Sequence, residues 1–183
     1  MGVLGDSRSD ISYNTWGATL ISDLNTAYAG SMIVTEENPR NWALSGYDLA
    51  EAAAAIDGWL ANHSVDTNAD KNIFLINLGI ITAVEETEAN FKSNYLYIID
   101  AIRTAFTNAE FYLTYPWSGN TGTRPATIKG WIDDVIAARS DYVHAGDDES
   151  VWLPAVADAD LLHYFNAAGQ AAAIVAKRAA IGY

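Results

Sequence analysis

Asn72-Ile73-Phe74-Leu75-Ile76-Asn77-Leu78-Gly79 is the stretch on which the fold turns. The unbroken apolar run Ile73 to Ile76 reads as a central strand covered on both faces, so Ile73–Leu78 needs helices on both sides of its sheet. Outward from it, apolar runs of strand length alternate with stretches of helical period. The strands are Gly2–Leu4, Ser31–Val34, Glu110–Tyr115 and Asp141–His144. The helices are Thr15–Tyr28, Asp48–Ala61, Glu88–Phe106, Ala126–Ala138 and Ala167–Ala180. Trp16, Leu20, Leu24 and Ala27, then Leu49, Ala52, Ala53, Ile56 and Leu60, then Phe91, Tyr95, Ile98, Ile99 and Ile102, then Ile128, Ile132 and Ile136 mark the core-facing stripes of the first four. The expectation is one α/β domain over residues 1–183. It is a three-layer α/β/α sandwich around a central, mostly parallel five-stranded sheet of the flavodoxin-like kind. Loops fall at Thr35–Ser45, Asn62–Asn72, Ile80–Thr87, Trp117–Pro125 and Gly146–Ala157, and those that follow strands gather at the sheet edge where ligands bind.

Composition narrows the partners. The 183 residues are half hydrophobic and only 18% charged, which places the chain among globular domains able to bury a core. A formal net charge of −13 repels phosphate backbones and anionic headgroups, so neither nucleic acid nor a membrane is expected as a partner. With no cysteine, disulfides, thiolate metal sites and cysteine nucleophiles are excluded. No apolar run is long enough to span a bilayer, and the first residues lack the basic start and apolar core of a signal peptide. The chain as given is expected to be soluble, which a secreted origin also allows.

Two short motifs carry candidate chemistry. Gly5-Asp6-Ser7 places a serine hydroxyl at the carboxyl end of the first strand, just before a turn into a helix. Asp160-Leu161-Leu162-His163 lies ahead of the last helix. An aspartate three residues before a histidine can bind one imidazole nitrogen and leave the other to take a serine's proton. The same stretch also reads as a helix N-terminus, with Asp160 or Asn166 as cap and His163 as a packing residue.

Together these motifs resemble the first and last blocks of the GDSL/SGNH hydrolases, and the resemblance spans nearly the whole chain. Ser45-Gly46 before an alanine-rich helix is similar to the family's second block. Leu78-Gly79 falls where the third, Gly-x-Asn-Asp, belongs. That block departs from the family's pattern, because it reads Gly79-Ile80-Ile81-Thr82, with Ile81 at the asparagine position. The resemblance implies a carboxylic ester hydrolase working through an acyl-enzyme on Ser7, with His163 as base and Asp160 as its orienter. It implies an oxyanion hole made by the N–H groups of Ser7 and Gly46 and requires no metal and no cofactor; with Ile81 in place of the asparagine, either those two groups suffice for a slower enzyme or Thr82 or another nearby donor substitutes. Short acyl esters, including acetylated carbohydrates, are the expected small-molecule substrates, and Trp42, Tyr115, Trp117 and Trp152 are the candidate rings for stacking on a sugar. The missing asparagine leaves open a second reading, a noncatalytic domain of the same fold that binds a glycan or acylated ligand. A flavodoxin-like or receiver-like role is disfavoured, since no Thr/Ser-rich phosphate loop follows the first strand.

Overall fold

Every residue of the strand Asn72–Asn77 is buried, as its unbroken apolar run demands. The computed structural model describes residues 1–6, 8–9, 15–27, 40–41, 43, 46–61, 71–80, 87–119 and 124–183, with backbone alone at 25, 40, 41 and 124. The strands are β1 (Gly2–Gly5), β2 (Arg40–Asn41), β3 (Asn72–Asn77), β4 (Ala109–Tyr115) and β5 (Val143–Asp148). They form one sheet in the order β2-β1-β3-β4-β5 with every pairing parallel. This is the doubly wound order, whose strand direction of travel reverses between β1 and β3.

Alternate residues along the strands feed two separate cores. Val3, Ile73 and Leu75 meet helix α1 (Trp16–Ala27) and helix α6 (Ala167–Ala180) through Trp16, Leu20, Leu24 and Ala173. Leu4, Phe74, Ile76, Phe111 and Leu113 meet α2 (Leu49–Ala61), α3 (Glu88–Ala105) and α4 (Arg124–Ala138) on the other face. Helix starts are written locally. Asp48 and Glu51 exchange side-chain and backbone bonds of 2.8 and 3.0 Å in a capping box ahead of α2. Thr87 caps α3 by accepting from the Asn90 N–H.

Two expectations need correction. The strand expected at Ser31–Val34 lies outside the described residues; the stretch Thr35–Ser45, read as loop, contains the strand Arg40–Asn41, a parallel neighbour of β1. A polar two-residue edge strand leaves no apolar alternation to read. The stretch Gly146–Ala157, also read as loop, contains the end of β5, a short helix α5 (Glu149–Trp152) and a 3-10 turn (Leu153–Ala155).

The second correction has a physical cause in a bulge. Leu113 pairs with Ala145, whereas Tyr115 pairs with Asp148, so β5 carries one residue more than β4 over that interval. The extra residue reverses the alternation. Val143 packs in the core of α2, α3 and α4, while Asp147, four residues on, turns to the opposite face and accepts from Lys177 Nζ at 2.8 Å and Thr114 Oγ1 at 2.7 Å. Asp148 then faces α4 and pairs with Lys129. Gly146 permits the bulge, because a Cβ there would stand 2.7 Å from the Leu113 carbonyl oxygen. Gly146→Ala is therefore expected to lower stability by about 1–3 kcal/mol through this overpacking. Urea unfolding would show a reduced midpoint at unchanged slope, and an unchanged midpoint would contradict the close approach.

Candidate active site

β1 ends at Gly5, a position that takes only glycine, since a Cβ there would lie 2.6 Å from Ser9 Cβ and 3.0 Å from the Asn77 carbonyl oxygen. The chain leaves the sheet at the reversal point between β1 and β3, where doubly wound folds bind ligands. Ser7 itself lies outside the described residues, but its two neighbours are pinned. The Asp6 carbonyl accepts from the Ser9 N–H at 3.0 Å, and Asp6 Oδ1 accepts from the Arg8 N–H at 2.9 Å. The Arg8 guanidinium grips Asp6 through Nε and Nη2 at 3.0 and 2.8 Å, and Trp16 Nε1 donates to the Arg8 carbonyl at 2.9 Å. Asp6 and Arg8 are both fully buried.

The second half of the site is the turn before α6. Asp160 Oδ2 lies 2.5 Å from His163 Nδ1, and its Oδ1 accepts from the backbone N–H groups of Leu162 and His163, both at 3.0 Å. The turn is closed by Leu161 N–H to the Asp158 carbonyl at 2.9 Å and Asp158 N–H to the His163 carbonyl at 2.8 Å. Leu161 takes a left-handed φ of 56°, a conformation that costs a branched L-residue about 1–2 kcal/mol. That cost is met where the Leu161 carbonyl accepts from the Gly119 N–H at 2.9 Å, fastening the turn to the loop after β4. The Phe165 ring lies against the imidazole, with centroids 4.5 Å apart and planes 25° from parallel.

The cap and the histidine contact fall on different residues of this stretch. Asn166 caps α6 by accepting from the Gly169 N–H, while Asp160 engages the histidine. Gln170, one turn into α6, reaches across and accepts from the N–H groups of Thr15 and Trp16 at 3.1 and 2.9 Å, closing the N-terminus of α1. The helices that follow the two motifs are thus bonded to each other.

Desolvation pushes the Asp160 carboxyl up, and the bonds from the His163 N–H, the His163 ring and the Leu162 N–H outweigh it, leaving a pKa of about 2. Asp160 therefore stays ionised wherever an imidazole titrates. With Nδ1 held by a carboxylate, proton exchange with a substrate-side group falls to Nε2.

Of the expected oxyanion donors, Gly46 is exposed ahead of α2 with a φ of 82°, while Ile81 and Thr82 lie outside the described residues. The aromatic candidates separate. Trp152 packs edge-on to Tyr164 and donates to Asp147 Oδ2 at 3.1 Å. Tyr115 bonds Asp133 at 2.6 Å beneath the ammonium of Lys129. Half-buried Trp117 stands over Gly119 beside the histidine turn, and Trp42 lies outside the described residues. Among the described residues no group of three or more His, Asp or Glu side chains is placed to hold a metal, and no helix is long and apolar enough to cross a membrane.

Sequence reasoning missed the buried polar cluster beneath both motifs. Arg8 Nη1 meets Glu149 Oε2 at 2.5 Å, and Asn77 Nδ2 donates to Glu149 Oε1 at 3.0 Å. An arginine directly after Gly-Asp-Ser is a weak hint of a buried charge, but its partner stands 141 positions away and one sequence does not pair them.

No protein-family profile and no curated protein sequence matches the chain. Solved structures do. An acetyl esterase serine variant with acetate ion shares 16% identity at a TM-score of 0.72, covering 96% of this chain and 92% of that one. A carbohydrate esterase family 3 protein from Talaromyces cellulolyticus shares 16% at 0.72, over 97% and 94%. A GDSL-like lipase from Bacteroides thetaiotaomicron shares 13% at 0.65, over 98% and 86%. At these identities the likeness establishes the fold, and it is the fold that the GDSL/SGNH resemblance implied.

The depressed Asp160 pKa makes a prediction about acid. A carboxyl held below its unfolded value, about 3.9, gives stability that is fully present above that value and fades as pH falls through about 2. His163→Ala removes the ring partner and should move the Asp160 titration upward toward the ordinary range. The carboxyl carbon shift followed by NMR reads it, and an unmoved titration would mean that the ring does not hold the carboxylate.

Proposed function

We propose that this chain, built on the fold shared by GDSL-like lipases and acetyl and carbohydrate esterases, is a serine carboxylic ester hydrolase. The observation that carries the reading is the Asp160–His163 bond, set in the turn ahead of α6 at the same sheet edge as Gly5 and Asp6, the residues that precede Ser7 in the chain. Asp160 fixes the tautomer, and His163 Nε2 takes the Ser7 proton as Oγ attacks the ester carbonyl. The resulting imidazolium hydrogen-bonds the anionic Asp160 and passes its proton to the departing alkoxide, releasing the alcohol. Water, deprotonated by the same nitrogen, then attacks the acyl-enzyme, and collapse frees the acid and restores Ser7.

The tetrahedral oxyanion rests on the backbone N–H groups of Ser7 and Gly46. Ile81 has no donor to add where the resembled family has an asparagine, and Thr82 offers a hydroxyl next to it. Losing one such donor costs on the order of a hundred- to a thousand-fold in turnover, so the enzyme is a slow one. Substrates are short acyl esters, with acetyl the best fit and a carbohydrate as the alcohol part. Among the described residues Trp117 is the candidate ring for stacking, because the Tyr115 hydroxyl and the Trp152 indole N–H already bond Asp133 and Asp147.

Hydrolysis of p-nitrophenyl acetate and butyrate should fall at least about a thousand-fold in Ser7→Ala and in His163→Ala. Ile81→Asn should raise kcat, by up to a hundred-fold or more if the donor is fully restored. Equal rates in the unaltered chain and Ser7→Ala would overturn the esterase reading and favour the binding domain, for which Ile81 is the supporting residue.

A further inference from the structure

Glu149, the first residue of α5, is a fully buried carboxylate for which the acyl-transfer steps have no use. Its Oε2 accepts from Arg8 Nη1 and from the Trp117 backbone N–H at 3.1 Å, and its Oε1 accepts from Asn77 Nδ2. The same Asn77 amide donates to the Tyr164 hydroxyl at 3.2 Å. Arg8 is the residue after Ser7, and Tyr164 is the residue after His163. One carboxylate therefore connects the neighbour of the nucleophile to the neighbour of the base, by way of the end of β3 and the loop after β4.

Packing alone does not account for such a group. Burial raises the Glu149 carboxyl pKa, with the charges of Arg8 and Lys177 opposing the rise, so the group carries a desolvation cost in this place. Buried ion pairs are often matched or exceeded in stability by apolar side chains of similar volume. An apolar side chain, however, fixes no direction, whereas a carboxylate with three donors around it fixes three bond vectors at once. Those vectors run to Arg8, Asn77 and Trp117, each on a different element of the site.

We infer that Glu149 is a positioning residue of the reaction, holding the serine turn and the histidine turn in register through Arg8 on one side and Asn77 and Tyr164 on the other. The inference rests on the esterase reading for its effect on rate, but not for its effect on geometry. In Glu149→Gln the side-chain amide places a donor against a ring of donors and breaks part of the network. Tyr164→Phe keeps the ring and removes only the hydroxyl, so it tests the far end with the core intact.

The test is kcat and KM for p-nitrophenyl acetate, with the His163 Hε1 NMR signal, in the unaltered chain, the two single variants and the double variant. The chain has three histidines, so His163→Ala assigns the signal. Expected are a kcat about ten- to a hundred-fold lower in Glu149→Gln with KM within twofold, a smaller loss in Tyr164→Phe, a double variant no slower than Glu149→Gln, and a displaced His163 signal in both. If Glu149→Gln and Tyr164→Phe fold and leave both kcat and the His163 signal unchanged, the inference is overturned. Losses that multiply independently also overturn it. Should the unaltered chain and Ser7→Ala turn over ester equally, the esterase reading fails separately, and the His163 signal alone decides the link: displacement supports it and constancy refutes it.

Discussion

The guanidinium of Arg8 sits between Asp6 and Glu149 with no exposure to water, and the sheet edge is arranged around that demand. Desolvation works to strip the proton from such a group, and the two carboxylates outweigh it, so Arg8 stays a planar cation and its pKa is raised. A planar cation with fixed donors requires its acceptors at set angles. Asp6 meets the requirement because β1 ends at Gly5 and the chain turns back at Ser9. Glu149 meets it because the bulge in β5 delivers the start of α5 to the same place. Remove the bulge and the alternation of β5 would send the carboxylates that follow it to the wrong faces.

Polar residues are buried very unequally on the two faces. The core of α2, α3 and α4 is apolar, with Phe74 packed between Phe106 and Phe111 at 5.2 and 5.5 Å. On the α1 and α6 face, Lys177 lies 5.0 Å above the Trp16 ring and pairs with Asp147 and Thr114, next to the Arg8 cluster. The apolar face supplies stability at little cost. The other gives up some of that stability for directed bonds, and both candidate catalytic motifs are anchored on it.

How much of this could be read in advance depended on whether the cause was local. The apolar run of β3, the stripes of α1 to α4 and the Asp160-x-x-His163 spacing all express forces between near neighbours, and each stands where the sequence put it except Ala27, which is exposed at the end of α1. The Arg40–Asn41 strand was illegible because two polar residues leave no apolar alternation to read. The end of β5 was illegible because a bulge breaks the period that identifies a strand and because its carboxylates are neutralised by Lys177 and Lys129, far along the chain. Trp152 and Tyr115 were read as open to a substrate, since a sequence does not show that Asp147 and Asp133 already hold them. The Glu149 network was invisible for the same reason.

The bond from Gln170 to the start of α1 has a consequence for a growing chain. Helix α1 is made early, and the core around its apolar face is completed only by Leu153, Tyr164, Ala173 and Ile181, among the last residues of the chain. Its first amide groups wait just as long for their acceptor. During synthesis, then, Trp16, Leu20 and Leu24 stay partly uncovered while every strand of the sheet is already complete. A ribosome-bound chain of this length is a sheet with one finished side and one sticky side, the kind of surface chaperones hold, and the step that seals it also brings the two halves of the candidate active site together.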